Sequence, residues 1–401
     1  MSLQSDYRRP ALQPLSVRTR DMTAAWRHVD WVIVAVVSAL TLIGFALVHS
    51  ASRQFETGSM LPRQLVFALM SVGVMAAVAA IDYRRIIAKA QWVYLGSLLL
   101  LVAVLVPGVS KTVNGTQGWF DLGVFSFQPA ETAKLATIVM LAALLGGDRI
   151  ASRPLRLVAS LALVGLPVGM VMVQPDLGSA LVFVFIGAGV MFVGGIRGRY
   201  LVALAAIAVL GVVGILNSGA LDDYQQDRLT TFVQERCPGN EDACYNVRQA
   251  EIAVSSGGLT GYGYGRGPQT TGRFVPEQQT DFIFTVAGEE FGFAGSALII
   301  GLFAVLIWRM WYAAMVAPDP QGRLICVGVM VMCMFHLFEN IGMSIGMMPV
   351  TGIPLPFISY GGSCFFFTSV AVHERASVDF RGGRLLEQKK QQLSRGPTTT
   401  R

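Results

Sequence analysis

A chain of 401 residues that is 53% hydrophobic and only 14% charged is no ordinary soluble domain, since such domains carry about 25% charged residues. Its mean hydropathy of +0.55 comes from repeated apolar runs, and roughly 18 or more such residues read as a membrane-spanning helix. The net charge of +6 is then the excess of Lys and Arg expected in cytoplasmic loops, not a nucleic-acid footprint.

Residues 1–30 are polar, carry Arg8, Arg9, Arg18, Arg20 and Arg27, and read as a disordered cytoplasmic tail. The first apolar run begins too late for a signal peptide. Ten spans follow, roughly at 31–49, 64–81, 91–107, 130–146, 156–173, 177–195, 200–217, 282–313, 322–347 and 356–376. The predicted fold is thus an all-α polytopic membrane protein. A ten-span domain covers 31–376, a long extracytoplasmic loop at 218–281 separates spans 7 and 8, and a basic cytoplasmic tail fills 377–401. Charge tests the layout independently. With the N-terminus inside, the cytoplasmic segments hold most of the chain's 31 Lys and Arg, as the positive-inside bias requires. Both termini are then cytoplasmic, and 108–129, 174–176 and 218–281 face outward.

The first outward segment contains Lys111, Gly115 and Gly118, which permit tight turns, and Trp119 beside Phe120, which suits the interfacial aromatic belt. Pro129 opens the fourth span where its missing N–H costs nothing. Glu131 and Lys134 follow three residues apart on one helix face. They form either a self-neutralising ion pair or a cation oriented for a phosphate. Pro175 ends the fifth span and Asp176 N-caps the next, with a substrate role still open to it.

The long outward loop holds Tyr224, Arg228, Phe232 and an amphipathic stretch, YNVRQAEIAVSS. A glycine cluster follows (Gly257, Gly258, Gly261, Gly263, Gly265, Gly267). It lacks the strand and helix that a dinucleotide fingerprint needs, so it reads as backbone bending closely around a bulky substrate. Cys237 and Cys244, seven residues apart in an oxidising compartment, permit a local disulfide. Cys326, Cys333 and Cys364 lie in apolar runs as packing residues.

Asp281 sits within RFVPEQQTDFIFTVAGEEFGF, where polar loop gives way to apolar helix. A carboxylate at that depth is a functional-site hypothesis by default, and the plain alternative is a helix cap. In the ninth span His336 and Glu339 suit either a proton relay or an interhelical contact. The tenth begins PVTGIPLPFISYGGSC, with Ser359 in its midst. Its three prolines and paired glycines make a broken, re-entrant segment, which survives at depth only where protein covers it or it lines a cavity.

The outward side therefore offers a carboxylate, several cations, aromatic groups and hydroxyls. No serine or cysteine nucleophile elbow, zinc helix or Walker motif accompanies them. Glycosyl transfer from a lipid diphosphate suits this set, with one base to deprotonate a sugar hydroxyl and cations for the departing diphosphate. Asp281 is the candidate base.

Five stretches (FQPAETAKLA, QPDLGSAL, SSGGLTGYG, RFVPEQQTDFIFTVAGEEFGF and PVTGIPLPFISYGGS) resemble the SEDS family of shape, elongation, division and sporulation proteins. The wording leans to its elongation branch over its division branch. The resemblance covers nearly all of 30–376. It implies a ten-span polymerase of lipid II, working on undecaprenyl-diphosphate-linked glycan at the outer face of the cytoplasmic membrane. Asp281 matches the family's essential acid, and Trp119, Glu131 and Lys134 match further functional positions. A class B penicillin-binding protein and rod-shape elongation proteins are the implied partners. No cofactor or metal ligand set is evident, and a divalent cation is compatible with a diphosphate. In one departure, Gly118 stands where the family usually has an arginine, so Lys111, Arg228 or Arg273 becomes the candidate cation. A lipid II flippase and a non-catalytic scaffold for the transpeptidase are the competing readings.

Overall fold

The computed structural model describes residues 30–53, 60–81, 83–106, 110–113, 116–121, 126–147, 153–207 and 241–361. Both predicted tails, Arg228, Cys237, Cys364 and most of the tenth predicted span lie outside the described residues. The helices are α1 (Trp31–Ser52), α2 (Leu61–Ala80), α3 (Tyr83–Ala88), α4 (Ala90–Ala103), α5 (Pro129–Leu145), α6 (Arg153–Val173) and α7 (Leu177–Val193). They continue with α8 (Gly198–Ile207), α9 (Glu241–Ser256), α10 (Pro268–Gly272), α11 (Ile283–Val316) and α12 (Pro320–Ser344).

Local chemistry sets several of their starts. The Asp30 carboxylate accepts from the Val32 and Ile33 N–H groups at the head of α1, Asp176 from Ser179 at the head of α7, and Asp319 from Gly322 at the head of α12. These are N-caps satisfying donors that a first turn leaves free. Pro129 opens α5 as its first residue.

Among the described residues, five helices are long and apolar enough to cross a membrane: Trp31–Ser52, Leu61–Val78, Pro154–Val173, Ile283–Val316 and Pro320–Ser344. The molecule is a multi-pass membrane protein. Among the described residues α4, α5 and α7 have 14, 17 and 17 residues, short of the about 20 that span a hydrocarbon core, and much of the seventh and tenth predicted spans lies outside the described residues. The tenth predicted span opens as irregular backbone through residue 361.

Helix α12 is the hub, packed against α5, α7 and α11. Of its most apolar stretch 78% is buried, against 22–33% for the other four long helices, whose remaining apolar faces are left for lipid. Glycines permit the close approaches around it. A Cβ on Gly189 would lie 2.6 Å from Val331, and one on Gly328 would lie 2.6 Å from Ile138. Small residues serve membrane helix interfaces in this way.

The 34-residue α11 is broken at Gly292, whose φ of 62° and ψ of −157° are not helical. A break strands backbone donors and acceptors, which is costly at membrane depth. Here the 257–263 loop supplies the missing partners. Tyr262 and Gly263 donate to the carbonyls of Glu289 and Glu290, while Phe293 and Ala294 donate to those of Gly258 and Leu259. The first part of the glycine cluster, predicted to bend around a substrate, packs its backbone on this helix. The backbones touch so closely that a Cβ on Gly257 would lie 2.0 Å from the Gly288 carbonyl oxygen.

The segment predicted as turns after α4 contains a small antiparallel sheet, the only β-structure among the described residues. Strand β1 (Lys111–Val113) pairs with β2 (Thr116–Asp121), which pairs with β3 (Ser126–Phe127). Lys111 pairs with Trp119 but Thr112 with Gln117, so Gly118 is the extra residue of a bulge, a place where glycine is at home. Thr, Val, Trp and Phe favour strands.

Two ends of the bundle differ in character. At one, Arg309 donates to Asp30 at 2.6 Å, Tyr83 donates to Asp319, and a small cavity is lined by Leu145, Gly194 and Arg323. The sheet, α9, α10, Asp176, Asp281 and the irregular 349–361 segment gather at the other.

Candidate active site

Asp281 ends a turn that closes on Glu277, whose carbonyl accepts from the N–H groups of Thr280, Asp281 and Phe282. Helix α11 starts directly after it. The cap position is Phe282, one residue beyond Asp281. Asp281 remains partly exposed. Phe282 beside it is buried with Ala250 and Ala253 of α9, Val275, and Met343 of α12, which anchors the turn from two sides.

The irregular 349–361 segment forms the opposite wall. Tyr360 N–H donates to the Gln279 carbonyl at 2.9 Å, and a Cβ on Gly352 would lie 3.4 Å from Asp281 Oδ2. The segment runs deep. Ile358 and Phe357 press on Gly44 of α1, where a Cβ would meet Ile358 at 2.7 Å. Gly44 lies eight residues before the end of α1 at Ser52, about 12 Å down its axis. Protein covers much of the irregular backbone: buried Gln64 donates to the Ile358 carbonyl, and Gly178 of α7 lies where a Cβ would meet the Thr351 carbonyl at 2.7 Å.

That contact brings the Asp176 turn to the same wall. Asp176 caps α7 through Oδ1 and accepts from Gln128 Nε2 through Oδ2 at 3.2 Å, tying the start of α5 to the start of α7. Glu131 and Lys134 form an ion pair of 2.6 Å, with Lys134 only 2% exposed. The ion pair that both readings of these residues require is present. His336 of α12 is buried close enough to feel both charges. Its Nδ1 bonds the Met332 carbonyl at 2.7 Å, so that nitrogen carries the proton. Glu339 takes a different partner, accepting from Thr351 Oγ1 at 2.8 Å. The two side chains face different neighbours, α5 and the irregular segment, as interhelical contacts do.

The other predicted site residues are placed less centrally. Trp119 is partly buried and is the register partner of Lys111. Arg273 is exposed and ends α10 in a left-handed conformation. Ser359 is buried, and its hydroxyl accepts from the Leu355 N–H at 2.8 Å, which spends it on closing its own turn. Cys326 and Cys333 are buried. Among the described residues no three His, Cys, Asp or Glu converge as a metal site.

Sequence reading gave no role to Glu289, Glu290 or Asn340, all of which are completely buried. The Glu289 carboxylate accepts from the backbone of Gln269 and Thr270 and from the Thr270 hydroxyl, and so caps α10. Glu290 accepts from Ser50 of α1. Two adjacent acids within an apolar helix were the available signal. Asn340 had none beyond its place after Glu339.

The family model described as Cell cycle protein, which joins FtsW, RodA and SpoVE, matches residues 30–376. The chain belongs to this family. It is 36% identical over 361 residues to Stage V sporulation protein E of Bacillus subtilis, covering 88% of this chain and 97% of that protein. It is also 36% identical over 340 residues to the peptidoglycan glycosyltransferase MrdB of Escherichia coli, covering 84% and 89%. Among solved structures it resembles the rod shape determining protein RodA of Thermus thermophilus, with a TM-score of 0.67 at 32% identity over 88% and 97% of the chains. A chain of a peptidoglycan synthase complex that coordinates polymerization and crosslinking gives a TM-score of 0.76 at 32% identity over 88% and 98%. The fold is RodA-like, and the family resemblance read from five motifs is borne out.

Proposed function

We propose that this protein is a peptidoglycan glycosyltransferase that polymerises lipid II into β-1,4 glycan, with Asp281 as general base. The observation that carries the site assignment is the Asp281 carboxylate itself. It is partly exposed, stands directly before the start of α11, and faces a deep irregular segment at Gly352. Incoming lipid II presents its GlcNAc 4-hydroxyl, and Asp281 takes that proton as the oxygen attacks the donor's anomeric carbon. The bond to undecaprenyl diphosphate breaks with inversion, turning an α-linked donor into a β-linked product, and a cation receives the departing charge. Arg273, Lys111 and Arg228 are the candidates, since Lys134 is committed to Glu131. Similarity to MrdB and RodA supports the elongation role, and likeness to a synthase complex supports a class B penicillin-binding protein as partner. The positive-inside bias places both termini in the cytoplasm and this end of the bundle outside.

The test is purified protein with its transpeptidase partner, fed lipid II with moenomycin present, and glycan resolved by length. Long glycan from the native chain and none from Asp281→Asn is the expected result. Equal glycan from both removes Asp281 as the base. No glycan from either, with lipid II crossing a vesicle bilayer, identifies a flippase.

A further inference from the structure

Reading Asp281 as the base raises the question of what aims it, and this inference rests on that reading. Asn340 is completely buried near the end of α12. Its amide nitrogen donates to the Asp281 carbonyl at 2.7 Å and to the Ile353 carbonyl at 2.8 Å. A side-chain amide has two N–H donors, and both serve backbone here. Its Oδ1 is buried with no hydrogen-bond partner among the described residues, so a hydrogen-bonding account of this amide runs through its nitrogen.

The two carbonyls belong to opposite walls of the site. Asp281 C=O lies outside the helical ladder, because Thr285 N–H bonds Phe282 instead, while Asp281 N–H is held by Glu277 at 3.0 Å. The peptide groups on both sides of the Asp281 Cα are therefore fixed. The bond to Ile353 fixes the neighbouring wall, where Gly352 at φ +70° lies against the Asp281 carboxylate. Glu339 adds a parallel tie through Thr351. One rigid helix thus holds the base and the backbone facing it in a single frame.

We propose that Asn340 is a positioning residue for glycosyl transfer, clamping the Asp281 backbone to the 351–353 segment so that the carboxylate meets the acceptor hydroxyl at a fixed place. Misplacing a catalytic group by about 1 Å can cost 10²-fold in rate. Asn340→Leu keeps the approximate shape and removes both donors. In the full chain with its transpeptidase, we expect kcat to fall about 10²-fold while KM for lipid II stays within about threefold, the signature of an interaction that matters in the transition state. Asn340→Gln keeps the donors but moves them by a methylene, and we expect about a tenfold loss in kcat with KM again held. It carries the test if the leucine variant fails to accumulate. Native kcat in either variant, or a fall in kcat matched by a lowered Tm and a raised KM, overturns the clamp. Asp281→Asn run alongside separates the two ideas. If it is inactive while Asn340→Leu is fully active, the clamp alone fails. If it is active, the base reading fails and takes the clamp with it.

Discussion

At the scale of single residues, burial decides which charges are available for chemistry. Lys134 and Glu131 are adjacent on α5 and neutralise one another out of contact with solvent. Breaking a buried pair by removing one partner typically costs about 3–5 kcal/mol, because the other charge is left uncompensated. Lys134→Ala is therefore expected to lower Tm in detergent strongly, and Lys134→Met with Glu131→Gln to recover much of the loss. An unchanged Tm in the single variant would show that the pair is not structural. Asp281 stands in contrast, since its side chain is partly exposed, as the proposed base role requires. It was legible in the sequence as an acid entering an apolar run. The role of Asn340 was not, because a lone amide carries no pattern and its two acceptors lie 59 and 13 residues away in the chain.

At the scale of elements, the broken α11 and the 257–263 loop form one unit that neither piece builds alone. Gly257→Ala forces a Cβ against the Gly288 carbonyl oxygen at 2.0 Å, and overpacking of this kind costs about 1–3 kcal/mol. We expect it to lower both Tm and polymerisation. Gly165→Ala on α6, with nothing within 4 Å, serves as the neutral control. If both variants behave alike, the close backbone contact is not needed. A second junction, at the far end of the bundle, has an alkaline signature. Burial, then the hydrogen bond to Asp319, raises the Tyr83 pKa from 10.0 to about 12. The unfolded chain loses this proton near pH 10 and the folded chain keeps it until about 12. Stability contributed by the contact is thus full below pH 10 and falls as pH rises toward 12. Tyr83→Phe should flatten that part of a Tm-versus-pH curve, and an identical slope in both proteins would dismiss the contact as a source of stability.

At the scale of the whole molecule, α12 is the buried axis around which the lipid-facing helices are arranged. It carries His336, Glu339 and Asn340 toward three different neighbours. Hydrogen exchange in detergent should be slowest within 324–340 and faster within 61–78, since protection follows packing density. The reverse order would remove α12 from the centre. Composition by itself determined that this is a helical multi-pass protein, because apolar runs report their solvent wherever they lie in the fold. Motif wording also carried the family and the irregular segment after Pro349, where proline and glycine disrupt helix locally. Only the tertiary structure decided that the 257–263 loop partners α11, that Glu289 caps α10, and that Asn340 joins the Asp281 turn to the 351–353 segment. Each of these depends on which distant backbone groups come within hydrogen-bonding distance. That is a property of packing, and local sequence does not encode it.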